Sequence, residues 1–201
     1  MAKHLRKLVL YPLALLAFGS WFSCLAHAGE GRHDVAKEIH EAFSVFWDSL
    51  DAEQQKTLQF EFDNPLRKDW QFIPMDRKGL QLGTLKVNQQ LLAMSVIQTM
   101  LSHRGFSQSM QVMALEQVLR ELENNSARRD PGKYHLFLFG TPSLTETWGW
   151  RIEGHHLSIS FTIVDGTTVA STPLFFGANP GEVRQGVHTG LRVLKAEEDL
   201  G

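Results

Sequence analysis

The run Trp148-Gly-Trp-Arg-Ile-Glu-Gly-His-His-Leu-Ser-Ile-Ser-Phe-Thr-Ile-Val164 carries the clearest architectural signal in the chain. Its apolar residues fall on even numbers first (Trp148, Trp150, Ile152) and then on odd ones (Leu157, Ile159, Phe161, Ile163). Side chains alternate along a strand with a period of two, so one unbroken strand cannot switch parity and keep its apolar set on one face. A tight hairpin removes the conflict. A two-residue turn at Gly154-His155 sets Ile152 against Leu157, Trp150 against Ile159 and Trp148 against Phe161, with glycine at the first central position as a type II′ turn favours.

The neighbouring sequence extends this hairpin in both directions. Tyr134 to Phe139 reads as a preceding strand, stopped by Gly140 and Pro142. Asp165-Gly166 signals a further hairpin leading into Val169 to Phe176, so the second half is a meander of at least three antiparallel strands. The first half is helical. Val35, Ile39, Phe43, Phe46, Trp47 and Leu50 recur at helical spacing over 34–50. Asp51 with Gln54 three positions on is a capping-box variant opening a short second helix. Leu58, Phe60 and Phe62 alternate as a strand would, and Asn64-Pro65 then starts a loop carrying Trp70, Pro74, Arg77 and Gly79. Residues 88–102, with Asn88 as N-cap, are apolar nearly all round and end at Gly105. A further helix over 107–123 places Val112, Leu115, Leu119 and Leu122 on one stripe, and a last helix is expected over 189–200. The fold class is therefore α+β, with N-terminal helices packed against an antiparallel β-meander.

The 201 residues, 43% hydrophobic and 21% charged, are enough for one globular domain and too apolar for a disordered chain. The beginning reads as an address. Lys3, His4, Arg6 and Lys7 precede an apolar run from Leu8 to Phe22, and Ala26-His27-Ala28 closes it with small residues at −3 and −1. That order is a secretory signal over 1–28, leaving 29–201 as a single α+β domain that is exported to the periplasm or secreted, with no stable membrane span once the signal is cleaved. The run, broken by Pro12 and Gly19, is shorter than the roughly 20 residues of a spanning helix. Lipidation at Cys24 is the rival reading of this segment. Cleavage removes Lys3, Arg6 and Lys7, taking the basic count from 20 to 17 against 22 acids, a net charge of −5. An acidic balance excludes an ordinary nucleic-acid binder. Cys24 is the sole cysteine, so the mature chain has neither disulfide nor thiolate chemistry.

Several blocks resemble a known family: Leu101-Ser-His-Arg-Gly-Phe106, Met113-Ala-Leu-Glu-Gln-Val-Leu119, Phe139-Gly-Thr-Pro142, Trp148 to Leu157, Phe175-Phe-Gly-Ala-Asn-Pro180 and Gly190-Leu-Arg-Val-Leu194. Together they are similar to the domain of unknown function 3500 family, over about Ala42 to Gly201. The resemblance implies no activity. Members of that family are longer, so the resemblance also implies that this chain is either a truncated fragment, the N-terminal part of a longer family domain, or a reduced member, and that it holds only part of any site shared between the two halves.

Candidate chemistry concentrates at the hairpin tip. His155 and His156, with Glu153 expected opposite His156, form a His₂-carboxylate set of the kind that holds zinc or iron. Further ligands would come from His135, His103, His188 or the region beyond Gly201. Arg151, expected to pair with Ser158 on the same polar face, adds a cation, so Arg151, Glu153, His155 and His156 are the candidate catalytic residues for acid–base work on a small molecule. The competing readings are a polar hairpin tip and a solvated sheet face. His103 and Arg104 are expected at a helix C-terminus as partners of its dipole. No phosphate loop and no nucleophile-elbow serine is present. Two function classes follow: an exported metal-dependent or acid–base enzyme centred on this hairpin, or a non-catalytic ligand-binding or structural exported domain.

Overall fold

The computed structural model describes residues 31–200; the expected signal segment and its cleavage point lie outside them. Helix α1 (Gly31–Asp48) buries Ala36, Ile39, Phe43 and Phe46, with Leu50 just beyond its end, spaced as one face of an α-helix requires. Val35 is exposed, and Ala36 takes the place expected for it. Helix α2 (Ala52–Leu58) opens with the predicted capping box: Asp51 Oδ1 accepts from Gln54 N at 2.9 Å and Gln54 Oε1 accepts from Asp51 N at 3.0 Å. The helix runs through Leu58, so the strand expected over 58–62 shrinks to β1 (Gln59–Phe60).

Strand β2 (Leu80–Gln81) leads into α3 (Val87–Met100). That helix starts ahead of Asn88, because Gln89 reaches back and its Oε1 accepts from Lys86 N at 2.9 Å. Its apolar character is not all buried: Ala93, Val96 and Ile97 face the core, while Val87 and Leu91 are exposed. Helix α4 (His103–Leu122) begins earlier than the sequence suggested. Ser102 is its N-cap, with Oγ accepting from Gly105 N at 3.1 Å, so Gly105 sits in the first turn of a helix rather than ending one. His103 and Arg104 accordingly lie at a helix N-terminus, not a C-terminus. Among the described residues no helix is long and apolar enough to cross a membrane.

Strands β3 (His135–Phe139), β4 (Trp148–Gly154) and β5 (Leu157–Val164) form the antiparallel centre of a seven-stranded sheet in which β1, β3, β4 and β5 lie in that order. β1 joins β3 in the sheet's parallel pairing, and β2 pairs antiparallel with the opposite end of β3. The strand expected over 169–176 is split into β6 (Thr168–Ala170) and β7 (Leu174–Phe176), each pairing with a different part of β5. The C-terminal helix is confined to α5 (Lys195–Glu198).

The β4–β5 hairpin is present with its turn one residue later than predicted. Gly154 pairs with Leu157, Ile152 with Ile159, Trp150 with Phe161 and Trp148 with Ile163, so His155 and His156 are the two turn residues. Arg151 consequently faces Ser160 rather than Ser158. The positive φ falls on His156 (58°) rather than on glycine. Gly154 is required for another reason: a Cβ there would lie 2.3 Å from Cδ1 of Tyr134, whose ring packs on the bare backbone.

Both faces of β4 are buried. One face carries Trp148, Trp150 and Ile152 with their neighbours Leu136, Leu138, Ile159, Phe161 and Ile163, against α1, α3 and α4. Phe43 of α1 meets Trp148 edge-on at 5.3 Å. The other face carries Arg151 and Glu153 with Phe137, Phe139 and Ser158, and the loop between β1 and β2 covers it. The solvated sheet face expected at Arg151 and Glu153 is thus replaced by a buried polar layer.

Candidate functional site

Glu153 and Arg151 are almost entirely shielded from water, at 2% and 1% exposure. A lone buried carboxylate would cost several kcal/mol, so the partners supplied by the covering loop are decisive. Arg77 Nε donates to Glu153 Oε1 at 2.7 Å, and the Gln71 amide donates to Oε2 at 3.0 Å. Ser158 Oγ adds a longer bond at 3.4 Å, and Arg151 Nε lies 3.1 Å away. The rest of the Arg77 guanidinium donates to the carbonyls of Met75, Gln71, Ile73 and Gly154. One side chain thereby folds the loop onto itself and fastens it to the hairpin. Arg151 donates to Leu66 O at 2.9 Å and lies over the Phe137 ring at 4.5 Å, and its burial holds its pKa below the ordinary arginine value against the pull of Glu153.

His155 joins a different set. Its Nδ1 contacts the Glu116 carboxylate of α4 closely, and Arg129 Nη1 lies 3.3 Å from the same nitrogen. Arg129 is clamped by Glu123, at 2.8 and 3.0 Å, and lies 3.8 Å from Glu116. That clamp raises the Arg129 pKa and lowers that of Glu123. With Glu116 as a carboxylate, Nδ1 is assigned as the protonated nitrogen. His155 Nε2 makes no hydrogen bond among the described residues and is not a buried orphan, so it is the nitrogen left open. Tyr134 fixes the turn from beneath: its hydroxyl donates to His155 O at 2.8 Å, and burial pushes its pKa far up.

His156 serves the turn backbone. Its N–H donates to Phe72 O at 2.8 Å, its carbonyl accepts from Gly177 N at 2.8 Å, and partial burial lowers its pKa. The two imidazoles are close, with centroids 4.2 Å apart, but Glu153 is turned toward Arg77 and Arg151 instead of joining them. His103 and His188 are exposed, and His135 is buried with Nδ1 unpartnered. Among the described residues no three histidine, cysteine, aspartate or glutamate side chains are grouped to hold a metal ion.

A cleft of about 250 Å³ opens over His155. Its lining is Glu116 and Tyr134 with Pro74, Met75, Asp76 and Arg77 from the covering loop, and Arg128, Asp130 and Lys133 from the connection after α4. Of the four candidate residues, the structure brings His155 to this cleft and places Arg151 and Glu153 under the loop that forms one wall. Glu116 was the residue missed by sequence reasoning. A signal for it exists: position 116 is four after Val112 and three before Leu119, inside the buried stripe of α4, and a carboxylate there needs a partner.

A family model described as "Protein of unknown function (DUF3500)" matches residues 32–201. No curated protein and no solved structure matches the chain.

Proposed function

We propose, for a chain that belongs to the DUF3500 family of proteins of unknown function, that the cleft over His155 is an acid–base site acting on a small polar molecule. One observation carries this reading: a buried carboxylate–imidazole pair, Glu116 with His155 Nδ1, at the foot of an open cleft. Such a pair fixes the imidazole's tautomer and orientation and stabilises it while it holds a transferred proton, which leaves Nε2 as the atom that takes or gives it. Glu116 is then a positioning residue and His155 the catalytic one. A zinc or iron centre on Glu153, His155 and His156 has less support, because both oxygens of Glu153 already accept from Arg77 and the Gln71 amide. Export after cleavage at Ala28 belongs to the same proposal on the strength of the N-terminal sequence, and N-terminal sequencing of the recovered protein tests it.

The activity test is a screen of the purified protein against small esters, amides and hydroxy acids, run beside His155→Ala and Glu116→Gln. Any genuine turnover should fall roughly 10²–10⁴-fold in His155→Ala, the usual contribution of a positioned general acid or base. Turnover that survives His155→Ala contradicts the assignment. A small molecule that raises the melting temperature without being converted favours the non-catalytic ligand-binding domain.

A further inference from the structure

The buried charges around the cleft are matched among themselves: Glu116 with His155 and Arg129, Arg129 with Glu123, and Arg77 with Glu153. Asp130 Oδ1 accepts from Gly132 N at 2.7 Å, but the carboxylate makes no ion pair among the described residues. The remaining rim charges are not matched. Asp76 on one bordering loop, and Arg128 and Lys133 on the other, make no ion pair and no side-chain hydrogen bond among the described residues. Two cations, Arg128 and Lys133, and two anions, Asp76 and Asp130, therefore line the same small space, with an apolar lip at Pro74 and Met75 beside them. The volume, about 250 Å³, falls below the roughly 300–1,000 Å³ typical of drug-sized ligands and suits a molecule of amino-acid or dipeptide size.

We infer that the cleft takes a small zwitterion, its carboxylate bound by Arg128 and Lys133, its ammonium group by Asp76, and its reacting centre held at His155 Nε2. The inference rests on the reading of His155 given above and adds the substrate class. A singly charged ligand would leave one sign of rim charge unanswered. A zwitterion answers both, and recognition of its second charge should appear as roughly a tenfold gain in affinity over either singly charged fragment.

The test follows the side-chain resonances of His155 by NMR in the protein while glycylglycine, β-alanine or 4-aminobutyrate is added. Acetate, propylammonium and glycerol serve as the anionic, cationic and neutral arms. At least one zwitterion should shift His155 with an apparent affinity roughly tenfold or more above acetate and propylammonium. That advantage should disappear in Asp76→Asn and in the Arg128→Gln, Lys133→Gln double variant, whose exposed positions leave the core intact. Absence of a shift with every zwitterion overturns the inference, as does an advantage that survives both variants. Acetate acting as strongly as the zwitterions overturns the zwitterion but leaves the proton-transfer role of His155 standing. That role falls separately, if turnover survives His155→Ala.

Discussion

Gly154 has no side chain because Tyr134 occupies the space one would need. A Cβ would sit 2.3 Å from Cδ1 and 2.6 Å from Cε1 of a ring with no exposed surface. Gly154→Ala should therefore destabilise the protein by about 3 kcal/mol, the upper end of the range for overpacking, even though alanine suits the backbone angles. Chemical denaturation of the variant measures this, and a change under about 0.5 kcal/mol would mean that Tyr134 moves aside freely. The sequence marked this glycine as special but attached the wrong cause. It suggested a left-handed turn residue, whereas the positive φ belongs to His156 and the glycine answers a contact from twenty residues away. A tertiary contact of that kind leaves no trace in local spacing. The same holds for Glu116 and His155, which are 39 positions apart.

The β4–β5 hairpin and the loop that covers it act together as elements. Parity placed Trp148, Trp150, Ile152, Ile159, Phe161 and Ile163 on one face correctly, since faces survive a register shift of two residues on the partner strand. It could not fix which residues turn, and the second face was misjudged because the loop between β1 and β2 has no periodicity to announce its packing. Arg77 is the hinge pin of that loop, bonded to four carbonyls and to Glu153. Removing it leaves Glu153 buried with Arg151 as its remaining cation. Arg77→Met should cost about 3 kcal/mol, the low end for breaking a buried pair, because that second cation stays. Amide exchange at Gln71 should quicken well beyond the change in global stability, since its N–H loses an anchored acceptor. Exchange at Gln71 that rises only in step with global unfolding would show that the loop holds its place without Arg77.

At the scale of the whole molecule, the α+β class was legible from alternating and helical periods, and most of the electrostatics was not, because the deciding buried pairs, Glu116 with His155 and Glu153 with Arg77, join different elements. His135 ties this layer to pH. Burial first, and the nearby Arg77 charge second, push its pKa down to about 4 from 6.5. The native state then refuses a proton that the unfolded chain accepts. The stability His135 supports is complete above pH 6.5 and is lost as pH falls from there toward about 4. The loss is on the order of 1–3 kcal/mol. In His135→Gln the fall in melting temperature across that window should be visibly smaller, and an unchanged fall would assign the acid sensitivity to other groups. The central claim concerns the other buried histidine, the one at the cleft, and long-range ¹H–¹⁵N NMR of the His155 ring addresses it most directly. In its neutral form His155 should carry its proton on Nδ1 toward Glu116 and show an unprotonated Nε2, a preference weakened in Glu116→Gln. A ring protonated on Nε2, with Nδ1 accepting from Arg129, would contradict the account, because the nitrogen proposed to take the proton would then have no lone pair with which to do so.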